Sequence, residues 1–466
     1  MSEKKIKYIE LNLADLKENI NRIQNNNIPV WRKNKSGSLV IIPLERLEQF
    51  IGNNESISII FYIDEKWESN IKISSSLPDI KPAAAAQHPW TDNSGISDTY
   101  TERRKKYLEM HPEKREQEFE QLIDSLISRP IAGNFIDTNA LLHLINAVSD
   151  AFVINKAAFD DFYNEAKSIS PDHIKNIAKN TTILVQSVMG IIRNNTAANN
   201  FINLLGEKST GSTVDHMNCV FLIFLPFCYY YNSYFAKGKI SKIRAEFKSR
   251  YYKYYKKLFP LSPPESLEDV FKGGMREIDQ DKLLQYGIGA FLHDIGKLDN
   301  IDYFEGEEKY DRKIIMRHAP ISYNMIVKTR EFDHDVAYLA ALHHEYYNDH
   351  SGYGISKLLF PDNIKKYKEP VYCLSYELED IKSGLALAYV PAKILEIVDV
   401  FDALTDSKRK YRDSEFSVDE ALEIMLSSFI DKNTKLDPIL FSIFVDFINS
   451  HSILKDKSIL SKVLTK

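Results

Sequence analysis

From about residue 131 onward, apolar residues recur at three- and four-residue spacing. NALLHLINAVSDAFV and ILVQSVMGIIRNN show it clearly, and this period predicts a succession of helices. The first 75 residues read differently. IPVW, SLVIIPL (Ser38 to Leu44) and SISIIFYI (Ser56 to Ile63) are short runs rich in β-branched and aromatic residues, the pattern of strands. LERLEQFI, between the last two, has helical spacing. Residues 1–75 are therefore expected to form a small α/β module. Periodicity lapses over 76–102, where Pro, Ser, Gly and an alanine run collect, as in a linker. TERRKKYLEMHPEKREQEFEQLIDSLI then predicts a charged helix over 103–130. The fold class expected is mainly α, with a small N-terminal α/β domain.

The most apolar stretch, Val220 to Phe235, is interrupted by Pro226. It is shorter than the roughly 20 residues that span a bilayer, so a buried core helix is expected and no membrane span. After it, KGKISKIRAEFKSRYYKYYKK (237–257) is densely basic and rich in tyrosine. An amphipathic helix covering the core with its tyrosines is expected there, and an anionic ligand or partner is the alternative. The net charge of −5 gives no global basic excess for a nucleic acid polymer. Three cysteines, Cys219, Cys228 and Cys373, suit neither a disulfide framework nor a thiolate metal site. The opening MSEKKIKYIELNLADL has no apolar core of a signal peptide, so a cytoplasmic location is expected.

The candidate chemistry lies between about 210 and 415. His293-Asp294 ends the apolar run LLQYGIGAFL. Two polar groups there are costly to bury without partners or a metal. The chain supplies its own control, because His334-Asp335 is a second His-Asp pair. His343-His344-Glu345 closes VAYLAALHHE. Adjacent helical side chains diverge by about 100°, although a helix end can turn both toward one cavity. Asp399 lies in the apolar KILEIVDVFDALTD, with Asp402 three residues on, and a carboxylate on a core helix needs pairing or a metal. His318 precedes Ala-Pro, and His216 opens another apolar helix. The collected set is His216, His293, Asp294, His318, His343, His344 and Asp399. Imidazoles and carboxylates without thiolates suit iron, manganese or zinc. Seven exceed the needs of one ion and suit two sharing a carboxylate. Lys297, one turn from Asp294, can neutralise a phosphate oxygen.

In this order the motifs resemble the HD-GYP family of phosphodiesterases, within the HD metal-dependent hydrolase superfamily. HDIGK (293–297) matches its central motif. MRHAPIS (316–322), HHEYYNDHSGYG (343–354) and IVDVFDALTDSKRKYR (397–412) resemble its MRxHPxIG, HHExxDGxGYP and DxFDALTxxRPYR segments. The resemblance covers roughly 131–435, leaving 436–466 as a C-terminal helical segment. It implies an HD-superfamily helical bundle and a centre of two divalent metal ions, iron or manganese. It further implies hydrolysis of cyclic di-GMP to pGpG or GMP. By motif match the seven residues above are metal ligands, with Asp294 bridging. Asp294 and Lys297 are the catalytic pair, Lys297 touching the scissile phosphate. Gly352, Tyr353, Arg409 and Arg412 complete the substrate-binding set.

The chain departs from the pattern where it meets substrate. Gly354 stands for the proline of GYP, His350 for a glycine and Lys410 for the proline before the final tyrosine. Ser212 occupies the place of a glutamate found where a third metal is held. Two metals are therefore expected. The alternatives are a non-catalytic cyclic-dinucleotide receptor and an HD-type hydrolase of another phosphate ester. A signal or protein partner at residues 1–75 and a homodimer are the further associations considered.

Overall fold

A computed structural model describes residues 8–11, 13–26, 28–33, 39–42, 61–64, 105–127, 138–164, 170–194, 213–297, 317–347, 354–360, 372–406, 416–451, 454 and 458–464. The chain divides into two compact units, Met1–Ser94 and Gly95–Lys466.

In the first unit, β1 (Tyr8–Leu11), α1 (Leu13–Asn25), β2 (Val30–Lys33), β3 (Leu39–Ile42) and β4 (Phe61–Asp64) follow in order. The strands form an antiparallel sheet in the order β1-β4-β2-β3. Leu16 and Ile23 of α1 and Val30, Phe61 and Ile63 of the strands are fully buried. Their spacing of seven along α1 is that of one helix face. β3 falls within SLVIIPL, and β4 covers the end of SISIIFYI and one residue beyond it. The LERLEQFI helix and the linker 76–102 lie outside the described residues.

The second unit is helical. It runs α2 (Pro112–Ile127), α3 (Thr138–Tyr163), α4 (Pro171–Asn194), α5 (Thr213–Ala236), α6 (Lys239–Glu246), α7 (Tyr252–Leu258), α8 (Leu267–Val270) and α9 (Gln280–Leu292). Then come α10 (His318–Thr329), α11 (His334–Leu342), α12 (Ser356–Leu359), β5 (Tyr372–Ser375), α13 (Leu378–Lys382), β6 (Ala386–Tyr389) and α14 (Val390–Thr405). The chain ends with α15 (Val418–Ile424), α16 (Pro438–Ser450) and α17 (Ser458–Leu464). β5 and β6 pair in parallel. The mainly α class expected from the sequence is the class observed.

α5 is the central element, buried without a break from Thr213 to Cys228 and in contact with α3, α9, α14 and α16. It corrects the expected length. Pro226 lies inside the helix without ending it, and TVDHMNC forms its first turns, giving 24 residues. Among the described residues it is the one helix long and apolar enough to cross a membrane, yet its apolar faces are covered by neighbouring helices, as for a core helix. α9 meets α11 closely. A Cβ on Gly289 would stand 2.7 Å from Leu339 Cδ2, so the absent side chain sets how near the two helices come.

The charged helix α2 has one apolar face, with Phe119, Ile123 and Leu126 buried. The buried Arg115 on that face pairs with Asp161 at 3.1 Å. The basic insertion folds as α6, a π-helical turn (Phe247–Tyr251) and α7. Its tyrosines turn inward: Tyr251 Oη meets Ser442 Oγ at 2.8 Å, and Tyr255 donates to Asp437 at 2.8 Å. All three cysteines are free and buried.

Candidate metal centre

Five helices bring their ends or their cores to one point. α9 stops at His293, which takes the cap position, and Asp294 follows in the turn. α10 begins at His318. α11 ends at Leu342, so His343 caps it and His344 lies beyond. α5 supplies His216 from its first turns, and α14 supplies Asp399 from its middle. The adjacent histidines face one cavity because the helix has already ended. Their ring centroids are 4.0 Å apart.

One glycine makes the junction of α9 and α10 possible. A Cβ on Gly296 would lie 2.4 Å from both the His318 carbonyl oxygen and the Ser322 amide nitrogen, which are backbone atoms and cannot yield. The Gly296 amide instead donates to Ser322 Oγ at 2.9 Å. The glycine of HDIGK is thus a close-approach residue that lets His318 reach Asp294.

The seven candidate ligands fall into two groups. Asp294, His318, His343 and His344 form one, and His216, His293 and Asp399 the other, with ligand atoms inside each group within 4.8 Å. Asp294 faces both. Its Oδ1 is 3.0 Å from His318 Nε2 and 3.7 Å from His343 Nε2. Its Oδ2 is 3.5 Å from His216 Nε2, 3.6 Å from His293 Nε2 and in an ion pair with Lys297. Asp399 Oδ1 is 2.9 Å from His216 Nε2, and its Oδ2 is 3.7 Å from His344 Nδ1.

Tautomers are set from behind. His293 Nδ1 donates to the Ala290 carbonyl at 2.8 Å and His343 Nδ1 to the Ala340 carbonyl at 2.7 Å. Both Nε2 lone pairs are thereby directed at the cluster. The buried His293 Nε2 has no hydrogen-bond partner. His216 Nδ1 donates to Asp402 at 2.6 Å. A carboxylate behind a ligating imidazole orients it and raises its basicity. Asp402 was visible in the sequence as the residue one turn from Asp399, but its role as the support of His216 depends on α5 and α14 packing together.

The charges agree with this arrangement. Burial, with His343 and His216 nearby, lowers His293 to about 3. Burial and His343 hold His344 well below its ordinary value. Both are therefore neutral at pH 7, as metal ligation requires. Burial alone would raise Asp294, but Lys297, His318 and His293 hold it well below the usual carboxylate range. Asp399 is held down likewise against burial, by His344 and His216. Neutral imidazoles with a bare buried nitrogen, around ionised carboxylates, fit divalent cations.

Glu345 anchors the segment that follows. Its carboxylate accepts from the Ser356 amide at 3.1 Å and from Ser356 Oγ at 2.5 Å. Gly354 lies directly against it, since a Cβ there would be 2.5 Å from Glu345 Oε2. Glycine in place of the GYP proline is what this contact accommodates. Gly352, Tyr353, Arg409 and Arg412, with Ser212, His350 and Lys410, lie outside the described residues.

Comparison with known proteins agrees with the helical site. Residues 270–404 match the family model of the HD domain, a span that holds every candidate ligand except His216. No curated protein matches at a significant level. A solved structure, Bd1817, an HDG"Y"P protein from Bdellovibrio bacteriovorus, is similar over 95% of this chain and 100% of that chain. The identity is 12% and the TM-score 0.36, a likeness too slight to carry a statement about the site. The HD-type resemblance read from the sequence thus has a family match beneath it, to the HD domain over residues 270–404.

Proposed function

We propose that this protein is a phosphodiesterase that holds two divalent ions, iron or manganese, and opens cyclic di-GMP to pGpG or GMP. One observation carries the reading. The two oxygens of Asp294 face different ligand groups, Oδ1 toward His318 and His343 and Oδ2 toward His216 and His293. A buried carboxylate between two imidazole groups is the arrangement of a bridging ligand. His318, His343 and His344 would hold one ion, and His216, His293 and Asp399 the other.

Two ions in that position supply Lewis acidity and an ionised water at neutral pH. The protein's own groups do the rest. Lys297, paired with Asp294 at 15% side-chain exposure, stands at the edge of the cluster. From there its ammonium reaches a non-bridging oxygen of the scissile phosphate and offsets the charge that grows in the transition state. The Ala290 and Ala340 carbonyls and Asp402 keep three imidazoles from rotating, with their Nε2 atoms toward the cluster. Glu345 fixes the chain at Gly354 and Ser356, where the substrate-binding segment with Gly352 and Tyr353 rejoins the described fold. Arg409 and Arg412 are assigned to substrate phosphates by the motif. An intracellular second messenger as substrate places the enzyme in the cytoplasm.

The test is anaerobic incubation of iron- or manganese-loaded protein with cyclic di-GMP, with products resolved by chromatography beside Asp294→Ala. Linear pGpG or GMP from the wild type alone is the expected result. Intact substrate at full metal occupancy would remove the cyclic di-GMP reading and leave another phosphate ester or a receptor role.

A further inference from the structure

The metal cluster is closed on most sides. His293 and His343 are fully buried and His216, Asp294 and His318 nearly so. His344 keeps 11% of its side chain exposed, against 2% or less for the other four histidines of the cluster. Tyr346, two residues on, is half-buried there, its ring centroid 6.1 Å from that of His344. A second half-buried aromatic, Phe429, stands edge-on to Tyr346 at 6.4 Å. The Lys435 ammonium is 5.9 Å from each ring.

Phe429 and Lys435 come from beyond the HD span, yet backbone bonds hold them to it. The Tyr347 amide donates to the Lys435 carbonyl at 2.9 Å, and the Lys435 amide donates to the Phe429 carbonyl at 2.7 Å. The fully buried Asp437 secures the same junction. It accepts from Tyr255 Oη at 2.8 Å and from the Ile439 and Leu440 amides at 3.0 and 2.9 Å. The backbone that carries Phe429 and Lys435 is therefore held to the segment that follows His344.

We infer that Tyr346, Phe429 and Lys435 form a recognition rim for the half of a dinucleotide remote from the bond that is cut. A base has a π-face that stacks on an aromatic ring whatever its sequence identity. A lysine beside the ring pairs with a phosphate as a point charge. Aromatic rings and a cation lying beside a phosphate-cleaving centre match a ligand that carries a second base and a second phosphate. A simple phosphate ester would use only the ions and Lys297. The inference rests on the phosphodiesterase reading and adds to it a specificity-determining surface, of which Phe429 and Lys435 lie outside the family's matched segment.

The experiment compares two substrates on the metal-loaded full chain: cyclic di-GMP and bis(p-nitrophenyl) phosphate, a small diester with neither a nucleobase nor a second phosphate. The variants are Tyr346→Leu, Tyr346→Phe and Lys435→Met. Tyr346→Leu and Lys435→Met are expected to raise KM for cyclic di-GMP about tenfold each, the scale of one lost stacked base. Turnover of the small diester should stay unchanged, and Tyr346→Phe, which keeps the ring, should behave as wild type. Equal losses on both substrates, or an unchanged KM for cyclic di-GMP, would overturn the rim. So would a wild type that cleaves the small diester and leaves cyclic di-GMP intact. A wild type that cleaves neither would sink the phosphodiesterase reading itself, and the rim with it.

Discussion

The chain contains the same dipeptide twice within the segment that matches the HD domain, with opposite outcomes. His293-Asp294 ends α9, while His334-Asp335 begins α11. At a helix C-terminus the carbonyls of the last turn are free, and that of Ala290 accepts a hydrogen bond from His293 Nδ1. The imidazole is locked with its other nitrogen facing inward. At a helix N-terminus no such carbonyl is available, and His334 points to solvent. Asp335 is buried, but its carboxylate is used up by Lys282 and by the Tyr389 hydroxyl. Asp294 is surrounded by imidazoles instead. What separates a candidate metal site from a structural ion pair is thus the end of the helix on which the dipeptide falls and the elements that converge there.

Four substitutions break or sharpen this contrast. Asp294→Ala removes the carboxylate that lies within 3.7 Å of four imidazoles drawn from both ligand groups, so bound metal measured by elemental analysis should fall to background, with loss of phosphodiesterase turnover. Asp402→Ala, one step behind His216, should weaken metal affinity by about 10- to 100-fold, read by competition with a chelator. Asp335→Ala should leave the metal content intact. It should lower stability by roughly 1–3 kcal/mol, because the Tyr389 hydroxyl and Lys282 lose a buried partner, which denaturant unfolding measures. His334→Ala, at an exposed position, should change stability by less than about 0.5 kcal/mol and metal content not at all. Metal loss from Asp335→Ala comparable to that from Asp294→Ala would end the distinction between the two dipeptides.

Much of the site was legible because ligands advertise themselves by context. Histidines and aspartates at the ends of runs apolar on every face, such as LLQYGIGAFL and VAYLAALHH, have few alternatives to partnership or a metal. The supports were less legible. Ser322 closes the MRHAPIS segment, yet its hold on the Gly296 amide depends on the start of α10 meeting the turn after α9. Glu345 reads as part of a motif, but its grip on Ser356 depends on a chain return eleven residues later. α5 is longer than its apolar stretch Val220 to Phe235, because the helix starts at Thr213 and runs through Pro226. In the folded chain that proline is buried among packed helices, which hold the helix on both sides of it.

The sequence by itself determined the helical class, the runs that overlap β2, β3 and β4 of the first unit and the seven candidate ligands, because periodicity and chemical type are local properties. Tertiary structure decided which ligands share a group and that Asp294 turns one oxygen to each. It also decided that Asp402 supports His216 and that Tyr346 meets Phe429 and Lys435. These are distances between elements far apart in the chain. Close packing fixes them, through contacts such as Gly296 against the α10 backbone and Gly289 against Leu339, and no residue carries that information alone.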